Sequence, residues 1–459
     1  MDKAGKKGNR LALGWIVLAL VWFTGGFAAA QTPQWPYDIR AYQAMADADS
    51  PDTIQPGTQI TLENWQQYKK FMPVALQALF SGKYPFRIRS GPEYAMPIGP
   101  TKSIKPGSYQ YMENTERYGG QAKLINLPGG GYSIQNYVAG IPFPHIDPED
   151  PEAGGKVLFN LYYRYSPAVQ TSLFPLYLTD RFHNTTYLES REVQSQLQHV
   201  SDLGYPLTNP LAGGYFWSAA DVVLAPEQSK YTMSMTLFPE DPNKPQEIYA
   251  FVPALRRSLR LSSAARCSPA LGTDFANDNN RDGFAGLPNS FTAKLIGVKK
   301  VLAMVNGGNY NEGTSPSSPG VNYLSDPPGW GKPSLGNWEL RKTYVLELTP
   351  TSPTYCYQAW VAFIDGEIWN MTTNDLYDVR KNLWKGQFQR YRPQHLNDGH
   401  NTWTYVAGAE SALIYDFQNV HDTLAVADTY PVLANRDAGA EYNDTARWST
   451  PAGLAQIMK

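Results

Sequence analysis

The sequence predicts a mainly β protein organised around one large antiparallel sheet, and three observations carry that expectation. Its 459 residues include 30 Tyr and 12 Trp with 38 Gly and 36 Pro, a mixture that suits many strands joined by turns, with amphipathic rings at half-buried positions. From Tyr132 onward, short apolar and aromatic runs recur, each bounded by Gly, Pro, Asn or Asp. No long helical periodicity separates these runs, so successive strands must connect directly and pair antiparallel.

The N-terminus comes first. Lys3, Lys6, Lys7 and Arg10 precede an apolar run from Leu11 to Phe27, and Ala28-Ala29-Ala30 places small residues before Gln31. That order is the pattern of a secretory signal peptide, so residues 1–30 are expected to be removed and the mature chain to start at Gln31. An uncleaved anchor is the competing reading, but the run is slightly short for a spanning helix and Thr24-Gly25-Gly26 weakens its end. No Cys follows the run and no later apolar stretch approaches spanning length, so a lipoprotein anchor is not expected and the mature protein should be soluble, working outside the cytoplasm. A net charge of −2 argues against nucleic acid or an anionic membrane surface as the main partner.

Residues 31–60 are polar and turn-rich and read as an extended N-terminal arm; residues 61–459 read as a single large β-rich domain. Thr61 is placed to cap a helix starting at Leu62, with Leu62, Trp65 and Tyr68 on one face. Pro73 opens a second helix that Ser81-Gly82 closes. Strands are expected in Tyr132 to Val138, Ser172 to Leu178, Lys230 to Phe238, Glu247 to Pro253, Phe291 to Leu302, Arg341 to Thr349 and Cys356 to Ile364. Lys156 to Ser166 is strongly aromatic, and periodicity leaves it open between helix and strand. Asp365-Gly366, between Phe363-Ile364 and Ile368-Trp369, predicts a tight hairpin. Asn306 to Ser334 is too rich in Gly, Pro, Ser and Asn for a core element and reads as a long surface loop or lid.

Motifs for catalysis are missing. There is no G-x-S-x-G, H-E-x-x-H, phosphate-cradling loop or G-x-G-x-x-G. His145, His183, His199, His395, His400 and His421 are scattered, and the proline-interleaved acidic run His145 to Glu152 reads as a solvated loop. Asp365 and Glu367 fit the paired acids of a secreted hydrolase, although a hairpin wants Asp-Gly anyway. Asp278, Asn280 and Asp282 stand at positions one, three and five of a loop with Gly283 at six, the alternation by which calcium loops wrap a hard cation. Position twelve is Asn289 rather than Glu, so a strict EF-hand fails; Asp274 is the candidate replacement ligand for a structural Ca²⁺, and a self-satisfied Asn/Asp turn is the alternative. The two cysteines, Cys267 and Cys356, are expected to pair in an oxidising compartment.

Several ordered motifs are similar to those of the proteobacterial domain-of-unknown-function family 1329. Tyr137 to Pro144 (YVAGIPFP) followed by FNLYYRYS, Tyr249 to Arg260 (YAFVPALRRSLR), Asn279 to Gly286 (NNRDGFAG), and the block YVLELT, FIDGEIW and Tyr377 to Lys385 (YDVRKNLWK) carry the resemblance. So does the helical pair LENWQQYKKFMPVALQALF. The resemblance implies a fold like the lipoprotein-sorting LolA and LolB proteins: a large curved antiparallel half-barrel with helices covering its concave face. It further implies a periplasmic carrier for a hydrophobic or lipidated ligand, with an outer-membrane protein and an export pump of the resistance–nodulation–division type as partners. An adaptor without a small ligand is the alternative. The cysteines, the partly Asn loop and the 306–334 insertion depart from the family pattern. A half-barrel too wide to fill itself leaves an apolar cavity, and Tyr137, Met233, Met235, Trp360 and Phe363 are the residues expected to line it.

Overall fold

The computed structural model describes residues 34–84, 88–262, 266–306, 331–332, 336–396, 404–427 and 432–457. The expected signal peptide, Gln31, His400 and nearly all of the 306–334 insertion lie outside the described residues.

In chain order the chain forms α1 (Ile39–Gln43), β1 (Gln59–Ile60), α2 (Val74–Phe80), β2 (Met96–Pro97), α3 (Tyr109–Tyr118), β3 (Lys123–Asn126), β4 (Tyr132–Gln135) and α4 (Ala153–Tyr162). A first run of strands follows: β5 (Val169–Thr179), β6 (Thr185–Gln196), β7 (Tyr215–Ala225), β8 (Met233–Pro239), β9 (Glu247–Val252) and β10 (Arg257–Leu261). The second run is β11 (Phe291–Ala303), β12 (Glu339–Pro350), β13 (Ala359–Asp365), β14 (Met371–Tyr377), β15 (Leu383–Leu396), β16 (Thr404–Asp416) and β17 (His421–Val426). The short β18 (Leu433–Ala434) precedes α5 (Gly439–Tyr442), α6 (Thr445–Trp448) and α7 (Pro451–Leu454).

Each run is an antiparallel meander, and β17 pairs with β5 to join them into one 14-stranded sheet. The outer strands β10 and β11 do not pair with each other, so the sheet is open. Register shifts at Leu295/Gly297, Phe363/Ile364, Leu376/Tyr377, Arg390/Tyr391, Glu189/Ser190 and Tyr215/Trp217 each add local bend and twist. The expected mainly β class stands, at 39% strand and 20% helix.

Strand alternation sorts the side chains into two layers. Val345, Val361 and Phe363 pack with Tyr42, Met72, Leu76 and Phe80 on one face. Leu346, Leu348, Trp360 and Ala362 pack with Val157, Phe159 and Leu161 of α4 on the other. Helical cover therefore lies on both faces rather than on one. The N-terminal arm is part of this cover: Tyr42 and Ile60 are fully buried, and β1 pairs with β2. α2 spans the expected residues and ends at Ser81. The helix expected from Leu62 forms only as a 3₁₀ turn over Trp65–Phe71. The ambiguous Lys156 to Ser166 stretch is helical to Tyr162, in α4. Glycine is required there, since a Cβ on Gly154 would stand 2.1 Å from the carbonyl oxygen of Ala293 in β11.

The Asp365-Gly366 hairpin exists, but its loop runs from Gly366 to Asn370. The carboxylate of Asp365 accepts the N–H groups of Glu367 (2.9 Å) and Ile368 (3.0 Å) and two contacts from Arg341, which widens the turn beyond two residues. No helix among the described residues is long and apolar enough to cross a membrane.

Candidate ligand cavity

Between β10 and β11 the chain does not turn back at once. Residues 266–290 cross the α4 face of the sheet, and side chains from β14, β15 and the residue just before β9 satisfy part of their backbone. Asn374 Nδ2 donates to Gly283 O (2.8 Å), Gln387 Nε2 to Asn279 O (2.9 Å), and Gln246 Nε2 to Ala285 O (2.7 Å). A buried loop needs such partners, because unpaired backbone groups are costly away from water. Arg164, just after α4, donates to the carbonyls of Arg281 and Phe284, and Arg281 Nη1 donates to Tyr162 O (3.0 Å). Cys267 is bonded to Cys356 with a Cα separation of 5.9 Å, so the crossing segment is tied to the strand side at its start.

A cavity of about 120 Å³ remains between this segment and the sheet, walled by β5–β8, β15–β17 and residues 270–282. Its character changes along β6. Leu188 stands opposite Leu176, and Ser190 lies between Phe174 and Val223. Two residues further, Glu192 is directly paired with Asp221, which in turn pairs with Ser234. Gln194 is opposite Gln170. One end is thus apolar and the other polar and acidic, with Leu271, Phe275, Asn280 and Asp282 contributed from the crossing segment.

Crowded by protein, Glu192 and Asp221 each keep part of their surface open. Burial is the first cause that pushes both carboxyls above the ordinary carboxylate range, and for Glu192 the neighbouring Asp221 adds to it. Ser234 Oγ donates to Asp221 Oδ2 (3.2 Å) and opposes the shift. Arg281 lines the cavity too, but its guanidinium lies 4.6 Å from the Trp217 ring centre; burial, then the nearby Arg164, lowers its pKa to about 9.

The residues expected to line a cavity do not line this one, and strand alternation is the reason. Ser234 faces the cavity, so Met233 and Met235 point to the opposite face, against Trp448 and Leu454. Trp360 is packed among Phe284, Phe291 and Tyr357 and donates from Nε1 to Asn374 (2.6 Å). Phe363 faces away, against Tyr42. Tyr137 stacks on Tyr163 with ring centres 4.0 Å apart and donates to Gly140 O.

The expected calcium ligands are divided among separate partners. Asp278 is gripped by Arg266 through Nε and Nη2 and by the Tyr355 hydroxyl (2.7 Å). Asp274 accepts from His421 Nδ1 (2.5 Å) and Thr423 (2.8 Å); Asn280 and Asp282 line the cavity. Among the described residues no three His, Cys, Asp or Glu side chains gather as a metal-holding group. Asp365 and Glu367, the candidate hydrolase pair, are both held by Arg341 at 2.7 and 2.8 Å.

Glu192 and Asp221 escape sequence reasoning because β6 (TTYLESREVQSQ) is polar on alternate positions of both faces, which hides the period-two signal. The one available hint is Leu188, Ser190, Glu192 and Gln194 reading from apolar to polar along one face.

Several solved structures are similar, among them the following three. A putative outer membrane lipoprotein-sorting protein domain from Vibrio parahaemolyticus is 13% identical, over 64% of this chain and 98% of its own, with a TM-score of 0.43. A DUF1329 family protein from Desulfovibrio piger is 12% identical over 60% and 90% of the two chains, with a TM-score of 0.39. A LolA superfamily protein from Nitrosomonas europaea is 11% identical over 57% and 85%, with a TM-score of 0.34. No curated protein matches. The sequence profile described as "Protein of unknown function (DUF1329)" matches residues 59–444, most of the chain, and the protein therefore belongs to the DUF1329 family.

Proposed function

We propose that this protein is a binding or carrier protein for a hydrophobic or amphiphilic ligand, working in the periplasm after removal of its leader. The observation that carries the reading is the cavity, apolar at Leu176, Leu188, Phe174 and Val223 and polar at Glu192, Asp221 and Gln194. Apolar walls with a few convergent polar groups are the make-up of a small-molecule site, and at about 120 Å³ this one receives part of an amphiphile rather than the whole of it. The long disulfide and the leader-like N-terminus support an oxidising compartment. Exchange with an outer-membrane protein or an export pump, which the family resemblance implies, belongs to the same reading.

The test is binding of N-phenyl-1-naphthylamine, a neutral apolar fluorophore, together with mass spectrometry of whatever co-purifies. The wild type should bind the probe, and Leu188→Trp, which fills the apolar end, should weaken binding about tenfold or more, the scale of a lost apolar site. Correctly folded wild type that binds neither the probe nor any co-purified amphiphile would overturn the carrier reading.

A further inference from the structure

We propose that the ligand site is longer than the cavity: residues 269–276 form a flap across one continuous furrow of the sheet, and a bound amphiphile runs beneath it, its chain in the cavity and its head in a groove on the far side. The inference rests on the carrier reading and deepens it by fixing the length and direction of the ligand.

Strand register reveals the furrow. Gln389, Ala412, Ala425, Leu176 and Leu188 are successive cross-strand partners over β15, β16, β17, β5 and β6, and all of them wall the cavity. Two residues along the strands, on the same face, the row is Gln387, Ile414, Thr423 and Leu178. Two residues further it is Lys385, Asp416 and His421. These last three line a groove of about 390 Å³ with Arg181, Phe182 and Trp384. Cavity and groove therefore lie in line, their rows about 13 Å apart along the strands.

The flap divides them. Its ends meet in the bridge between Pro269 and Ala276, and Ala270 N–H donates to Phe275 O (2.8 Å). Leu271 and Phe275 line the cavity, Gly272 and Asp274 line the groove, and Thr273 lines both. Among the described residues, every hydrogen bond from the flap to the sheet runs through Asp274. Its N–H donates to Thr423 Oγ1 (2.9 Å), and its carboxylate accepts from Thr423 (2.8 Å) and His421 (2.5 Å). Its carbonyl accepts from Lys385 Nζ (2.6 Å). A segment tied at one residue opens locally at small cost. The cavity alone, at about 120 Å³, is smaller than the roughly 150 Å³ that takes a benzene ring. Joined to the groove, it reaches the ordinary size of a small-molecule site, about 300–1,000 Å³.

Direction follows from the side chains. A chain entering from the groove meets Leu176 and Leu188 first and Glu192 with Asp221 last. The acids of the groove are already served: Asp180 accepts from Asn184 and the N–H of Phe182, and Asp416 from Trp384 and Asn419. Lys385 Nζ and Arg181 Nη2 donate to backbone carbonyls instead and keep further N–H groups. The groove thus suits a head that presents acceptor oxygens, as a hydroxyl, carboxylate or phosphate does.

The experiment uses dodecanol carrying a photoreactive diazirine either beside the hydroxyl or at the far end of the chain. Each probe is irradiated with the full mature protein, and the adducts are mapped by peptide mass spectrometry. The probe labelled near the hydroxyl should tag residues 180–182, 384–385 or 416–421, and the far-end probe residues 174–176 or 188–190. Asp274→Ala cuts the tie of the flap. It should speed both association and dissociation of N-phenyl-1-naphthylamine about fivefold or more, the scale of one lost hydrogen bond, while affinity changes less than about twofold. A merely damaged fold would weaken affinity instead. Thr423→Val, nearly isosteric, serves if Asp274→Ala fails to fold by circular dichroism. Near-hydroxyl adducts at residues 192–194 overturn the direction, and adducts confined to the cavity overturn the longer site. Unchanged rates in a folded variant overturn the flap. If the wild type does not bind the fluorophore at all, it is the carrier reading that falls.

Discussion

The hydroxyl of Tyr42 donates to Asp375 Oδ2 over 2.9 Å, joining residues 333 positions apart inside the protein. The same carboxylate accepts the N–H groups of Val74 (2.9 Å) and Ala75 (3.0 Å), the free donors at the start of α2. One acid on β14 thus anchors both the N-terminal arm and the helix that covers the sheet. Tyr42→Phe removes one donor from a fully buried carboxyl, and the expected loss is about 1–3 kcal/mol, the range for an unsatisfied buried group. Urea unfolding at constant slope measures it; a loss under 0.3 kcal/mol, far below that range, would show that the arm is held by apolar contacts alone.

Arg266 and Asp278 make a second buried pair, with side chains 16% and 1% exposed. Asp278→Asn leaves the guanidinium without its counter-charge and should cost about 3 kcal/mol. Arg260 and Glu247, at 63% and 23% exposed, provide the contrast: Arg260→Ala should cost less than about 1 kcal/mol. Equal losses in the two variants would contradict the assignment of Asp278 as the structural anchor of the crossing segment.

Cys267 and Cys356 close a loop with a sequence separation of 89. Chain entropy assigns such a link about 4–5 kcal/mol, of which measured losses usually recover 2–4. Cys267→Ser with Cys356→Ser should lower the thermal midpoint by several degrees or more, and reductant should leave the double variant unchanged while destabilising the wild type.

The pH dependence has a definite sign. Burial raises Asp202 and Asp375 to about 6, and raises Glu192 and Asp221 as well. Between the unfolded carboxylate value near 4 and these higher folded values, the native state holds more protons than the unfolded chain, so stability falls as pH rises. His421, raised mainly by its bond to Asp274, acts in the same direction. Thermal midpoints should therefore be higher at pH 5 than at pH 8, and Glu192→Gln should flatten part of that slope. A midpoint that climbs from pH 5 to pH 8 would refute the assignment.

How much of this was legible in the sequence varies with the range of the interaction. The α2 stretch was readable because Pro73 and Ser81-Gly82 act on their own neighbours. The strands around Met233, Phe291, Arg341 and Trp360 were readable because apolar runs bounded by turn residues need no distant partner to be recognised. The cavity residues were not. Predicting Met233 and Met235 for its wall required knowing which side of β8 faces the crossing segment, and a one-residue change of phase exchanges the two faces.

The same division holds for chemistry. Composition, turn residues and a lone cysteine pair determined a β-rich, antiparallel, disulfide-linked protein, because these follow from local backbone preference and from the count of residue types. Only the tertiary structure decided that Asp278 pairs with Arg266, that Asp365 and Glu367 pair with Arg341, and that Glu192 meets Asp221 at the polar end of the cavity. A charged side chain declares no partner in sequence; its role is set by which opposite charge, or which like charge, the fold brings within a few ångströms and removes from water.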